Sequence, residues 1–168
     1  MYRRYLAEFV YGGTDGTVTT FAIIAGSLGA SFSYSVILIL GFANLFADGF
    51  SMAVSNYLSS KSREDIGNSF ANSPSPLKTA LATFVSFVLV GFIPLSSFVA
   101  GIFYDNLLGG KEFEVSIVLT AVTFFAIGYV RGIVSKKGKF RSAMQTLFMG
   151  GIAALIAYFV GFILQSVV

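Results

Sequence analysis

Residues 79–103 read TALATFVSFVLVGFIPLSSFVAGIF, an unbroken run without a single Asp, Glu, Lys or Arg. Coiled as an α-helix at about 1.5 Å per residue, such a run is long enough to cross a hydrocarbon core of about 30 Å. A membrane barrel strand would be about half as long and would alternate apolar with polar side chains. Because lipid offers the backbone no hydrogen-bond partners, a segment of this kind must satisfy its own N–H and C=O groups, which predicts a helix.

Four comparable segments flank it: Phe9 to Leu28, Ser35 to Leu58, Val115 to Val134 and Ala143 to Val168, with Thr79 to Phe103 as the third of five. The expectation is an all-α membrane protein, one transmembrane domain over residues 1–168 with five transmembrane helices. The composition agrees: 55% of the 168 residues are apolar, 11% are charged and the mean hydropathy is +0.81, too apolar for a domain surrounded by water. The polar stretch from Lys61 to Lys78, with Asn72, Ser73, Pro74, Ser75 and Pro76, reads as turn and linker. Pro94 is expected to kink the third helix.

Charge sets the orientation. Arg3, Arg4, Lys61, Arg63, Lys78, Arg131, Lys136, Lys137, Lys139 and Arg141 fall at one end of such a bundle, and only Lys111 at the other, beside Asp105, Glu112 and Glu114. Basic loops mark the cytoplasmic side, so the N-terminus is expected to be cytoplasmic and the C-terminus on the opposite side of a cell (inner) membrane. The first apolar segment is interrupted by Asp15 and several glycines and lacks a small-residue cleavage pattern, so it reads as the first span and not as a signal peptide.

Several classes of function are disfavoured. There is no Cys and no His, which removes disulfides, thiolate metal sites and the usual neutral-pH proton carrier. No nucleophile–base constellation is visible, so no enzyme activity and no cofactor are expected. The pI near 9.2 comes from residues gathered in a few loops, which argues for topology and against nucleic acid as a partner.

The informative residues are acids where acids are costly. A carboxylate at mid-bilayer costs about 2.5–3.5 kcal/mol on insertion scales, and such groups are rare unless they line a polar interior. Asp15 lies in the glycine- and threonine-rich island of the first span, and Asp48 in the middle of the second. Glu8 precedes Asp15 by seven residues, two helical turns on the same face. Asn44, Asp48, Met52 and Asn56 recur at intervals of four and share one stripe of the second helix. Carboxylate, amide and thioether together favour a borderline ion such as Fe²⁺ over Mg²⁺ or Ca²⁺. Each feature also has a structural reading: Gly12 and Gly16 can be a small-residue packing surface, Met52 a packing residue, and Asn44 and Asn56 interhelical hydrogen-bonding groups.

The run Asp15-Gly16-Thr17-Val18-Thr19 with Phe21, followed by Ala47-Asp48-Gly49-Phe50-Ser51-Met52-Ala53-Val54-Ser55-Asn56-Tyr57-Leu58-Ser59, closely resembles the vacuolar iron transporter family, most strongly over residues 5–65. The resemblance implies a homodimer whose first spans line a central pathway, exchanging Fe²⁺, and often Mn²⁺, for protons from the cytoplasm to the far side. It assigns Asp15 and Met52 to the metal path and Glu8 to its cytoplasmic mouth, giving Glu8, Asp15, Asn44, Asp48, Met52 and Asn56 as the candidate metal set. Three departures accompany it. Ser55-Asn56-Tyr57 stands where the family commonly reads Gly-Glu-Tyr, Asp48 stands where a small residue is usual, and only a short linker stands where eukaryotic members insert an acidic metal-binding domain. The competing reading is a passive cation channel or a non-transporting membrane scaffold whose acids only bond helices together.

Overall fold

The computed structural model describes residues 5–66, 75–103, 108–136 and 138–167, and every regular element in them is helical. In chain order these are α1 (Leu6–Gly29), α2 (Tyr34–Asp65), α3 (Pro76–Phe103), α4 (Glu112–Val134) and α5 (Lys139–Gln165). All five predicted segments are helices, with revised bounds. α2 runs past Leu58 to Asp65, so the first residues of the expected linker are helical. There Lys61 pairs with Glu64 at 3.5 Å and Asp65 at 3.6 Å, one turn away on the same face. α3 begins on Pro76, a first-turn position where the missing N–H leaves no bond unmade. Residues 67–74 of the expected linker lie outside the described residues.

Four helices, α2 to α5, are long and apolar enough to cross a membrane. α1 is comparable in length at 24 residues, but Glu8, Asp15 and its many Gly and Thr residues make it more polar. It packs against all four of the others. The chain is therefore an all-α membrane protein in which the helix that lacks a long apolar span, α1, is the one that touches all the others.

The interior inverts the pattern of a water-soluble bundle. Thr17, Thr20, Thr83, Ser86, Ser97, Ser116 and Thr120 are buried, while Ile39, Phe50, Leu89, Phe148, Leu155 and Phe159 point outward. In lipid, burial of apolar surface cannot drive helices together, and small residues that permit close backbone approach take over. A Cβ added to Gly16 would lie 2.5 Å from the Phe87 carbonyl oxygen, and one at Gly91 would lie 2.8 Å from that of Gly16. The small-residue surface anticipated at Gly12 and Gly16 is thus the α1–α3 contact. Similar backbone contacts join Gly26, Gly29 and Gly161 across α1 and α5. Against α2, by contrast, the close neighbours are side chains: Leu95 at Gly41, and Phe84 and Phe87 at Gly49.

These contacts fix directions. Gly12 and Gly16 of α1 meet Thr83 and Phe87 of α3 in rising order, so α1 and α3 run parallel, whereas Gly41 and Gly49 of α2 meet Leu95 and Phe87 in falling order. Gly128 and Gly132 of α4 likewise meet Ala143 and Lys139 of α5. Helices α1, α3 and α5 run one way and α2 and α4 the other. Lys61, Arg63, Lys78, Arg131, Lys136, Lys139 and Arg141 therefore share one end and Lys111 lies at the other. Pro94 is buried inside α3, where its carbonyl oxygen accepts hydrogen bonds from Ser116 at 2.7 Å and Ser97 at 3.4 Å.

Candidate functional site

α1 and α2 meet antiparallel, and one side-chain bond sets their register: Asn44 Nδ2 donates to Thr19 Oγ1 at 3.2 Å. Moving one helical turn inward along each helix brings Asp15 on α1 opposite Asp48 on α2. Asp15 is half-buried, and Asp48 is exposed on the outer surface of the chain. This α1–α2 seam brings an acid from each helix to one level of the membrane-spanning region.

A further turn inward, α2 presents Met52, half-buried against the apolar cluster that includes Leu45 and Phe87. Next comes Asn56, whose Nδ2 donates to Thr83 Oγ1 on α3 at 2.7 Å. Glu8 arrives at the same level from α1. Its backbone oxygen is 3.5 Å from Ser86 Oγ, and its carboxylate Oε2 is buried with no partner among the described residues. The six candidates thus fall at successive levels: Asp15, Asp48 and Asn44 near the middle on α1 and α2, Met52 next against the apolar cluster, and Glu8 and Asn56 toward the basic end, where both meet α3.

The two amides are engaged as helix-joining donors, which leaves each Oδ1 as the atom that could face an ion. Among the described residues no three His, Cys, Asp or Glu side chains cluster tightly enough to hold a metal. A groove of about 680 Å³ lies elsewhere, between the outer parts of α1, α2 and α5, lined by Ile23, Gly26, Leu40, Ala157, Val160 and Leu164 among others. It is almost wholly apolar and contains none of the acids.

Two residues were not legible as site components. Thr19, which holds Asn44, carried a signal, since it belongs to the polar island around Asp15. Glu112 reads from the sequence as one acid among several in an outer loop, but it is buried, 7% exposed, in the first turn of α4.

The sequence matches the VIT family over residues 6–72 and 66–162, two segments that meet at the α2–α3 connection. Among similar proteins, the vacuolar iron transporter of Toxoplasma gondii is 27% identical, covering 98% of this chain and 76% of that protein. The vacuolar iron transporter 1 of Arabidopsis thaliana is 24% identical, covering 94% and 85%. The Arabidopsis vacuolar iron transporter homolog 3 is 28% identical, covering 92% and 80%. The Toxoplasma alignment, 228 residues long, exceeds the 168 of this chain by 60, whereas the alignment to homolog 3 spans 170. With a family match running through all five helices, the chain belongs to the VIT family.

Proposed function

We propose that this chain carries Fe²⁺, and Mn²⁺ as a second substrate, out of the cytoplasm in exchange for protons. It would act as a homodimer of five-span chains with the N-terminus cytoplasmic, in a cell (inner) membrane. Iron as the cargo is supported by relatives that bear the name vacuolar iron transporter, and the orientation by the basic end of the bundle. The observation that carries the mechanism is the Asn44–Thr19 hydrogen bond, whose register brings Asp15 and Asp48 to one level of α1 and α2. Carboxylates that bind a dication must shed their protons, so metal and H⁺ compete for the same oxygens and one flux drives the other.

The exposure of Asp48 supports the dimer. Ala43, Ala47, Ser51 and Ser55 repeat every four residues on the exposed face of α2 beside it, a surface on which a second helix could approach closely. A second copy there would bring its own Asp15 and Asp48 to the same cavity and supply a carboxylate count that one chain lacks. Met52 adds a soft donor suited to Fe²⁺.

Proteoliposomes loaded with a metal-quenched dye and a pH dye, under an imposed pH gradient, test this. Metal entry accompanied by counter-movement of protons is expected for the parent and is expected to be lost in Asp15→Asn and strongly reduced in Met52→Ala. Parental rates in both variants would overturn the reading and favour the scaffold alternative, which the engagement of Asn44 and Asn56 between helices otherwise supports.

A further inference from the structure

Three buried side-chain oxygens away from the α1–α2 groove have no hydrogen-bond partner among the described residues: Glu112 Oε2, Thr120 Oγ1 and Thr20 Oγ1. Glu112, Ser116 and Thr120 follow one another at intervals of four on α4, so they form one stripe, and all are buried. Leaving a buried polar atom unpaired costs roughly 1–3 kcal/mol. Three of them in one small bundle call for an occupant able to donate and accept, such as a proton with the water that carries it.

The helix register sets their order along the bundle. Gly101 of α3 packs against the Glu112 carboxylate, and Ser116 donates to the Pro94 carbonyl oxygen, so the next turn of α4 sets Thr120 opposite the turn of α3 that precedes Pro94. On the other flank, Gly16 of α1 meets Phe87 and Gly91 of α3. One turn further out, Thr20 lies opposite that same part of α3. α1 also packs on α4, where Phe21 stacks on Phe113 at 6.5 Å, so Thr20 faces the span of α4 between Glu112 and Thr120, the latter about 12 Å inward of Glu112 at 1.5 Å per residue.

We propose that Glu112 is a proton-binding group at the end of the bundle opposite the basic residues, and that Ser116, Thr120 and Thr20 line a route for protons between it and the bundle interior, separate from the groove that carries metal. The proposal rests on the exchanger reading above and assigns the proton half of that exchange. A proton would arrive on Oε2 as the O–H of a carboxylic acid and leave to water held by the hydroxyls, each of which can donate and accept. The titratable and charged groups around Glu112 are few. From α2 the Tyr34 hydroxyl faces the carboxylate, with its ring packed edge-on to Phe98 of α3 at 5.3 Å. On its own helix and cap are Glu114 and Lys111, both exposed. The described residues of α3 and α1 that flank it carry no charge, and Asp105 lies outside the described residues.

The test compares the parent with Glu112→Gln, the exposed control Glu114→Gln, and Thr120→Val, which exchanges a hydroxyl for a methyl of similar size. Metal flux and proton flux are recorded separately in proteoliposomes across a range of pH, and Mn²⁺ binding is measured on the solubilised protein. In Glu112→Gln, proton movement is expected to fall about 100-fold, the low end for loss of a positioned proton carrier. Metal flux should lose its pH dependence while Mn²⁺ binding stays parental. Thr120→Val should slow proton movement and displace the pH profile, and Glu114→Gln should match the parent. A parent that moves metal without protons defeats the exchanger reading itself. A coupled parent with a parental pH profile in Glu112→Gln overturns only the present proposal, as does loss of Mn²⁺ binding in that variant, which would make Glu112 a metal ligand. Should Glu112→Gln fail to fold, a parental profile in Thr120→Val overturns it equally.

Discussion

Asn44 of α2 reaches across to Thr19 of α1 with a hydrogen bond of 3.2 Å, and this contact aligns Asp48 with Asp15 one turn deeper. Interhelical bonds of this kind average about 0.6 kcal/mol in membranes, so its importance lies in register more than in stability. Thr19→Val should therefore lower the thermal stability of the solubilised protein only slightly while weakening metal binding and transport. A variant that loses stability and keeps full transport would show that the alignment of the two acids is held by other contacts.

Close packing of α1 on α3 leads to a second expectation. Gly16→Ala would press a methyl group against the Phe87 carbonyl oxygen, and overpacking of that kind costs about 1–3 kcal/mol. Gly151 has open space where its Cβ would stand, so Gly151→Ala should change stability by less than about 0.5 kcal/mol. Thermal unfolding followed by size-exclusion chromatography checks both.

The absence of cysteine makes the dimer directly testable by single-cysteine cross-linking. Ala47→Cys, on the exposed face of α2 beside Asp48, is expected to form a disulfide-linked dimer in oxidised native membranes. Leu89→Cys, exposed on α3, is expected to stay monomeric on a denaturing gel. The opposite pattern would move the interface away from α2.

Asn56 is bonded to Thr83 through its amide nitrogen at 2.7 Å, and Thr83 in turn donates to the Thr79 carbonyl oxygen. An ionised Glu at position 56 could not donate to Thr83 and would be released toward the groove and Glu8. Asn56→Glu is expected to strengthen Mn²⁺ binding about tenfold, equivalent to 1.4 kcal/mol, and to steepen its pH dependence. Calorimetric titration at two pH values decides it. Unchanged affinity would mean that position 56 lies off the ion path.

Much of this architecture is written in the order of residues. Five apolar runs became five helices because lipid leaves the backbone no alternative, and Asp15 and Asp48 stood out because charge is costly there. The bounds were less legible: α2 outruns its apolar stretch because the pairs from Lys61 to Glu64 and Asp65 sustain the helix beyond Leu58. Glu112 was hidden for a different reason. Its neighbours in sequence, Lys111 and Glu114, are exposed, and only the stripe it shares with Ser116 and Thr120 betrays an inward face. Which helices meet through glycine backbones and which through side chains could not be read from spacing, because Gly occurs on every helix.

That last distinction bears on motion. Where carbonyls and Cα atoms of α1 abut those of α3 and α5, there is no pliable layer to shear, and the three helices should travel as a single plank. Along α2 the intervening matter is Leu95, Phe84 and Phe87, side chains that can switch rotamers. Spin labels should accordingly report changing separations between α2 and α1 during turnover and a constant one between α1 and α5. The hinge of any exchange cycle would then be the very helix that carries Asp48.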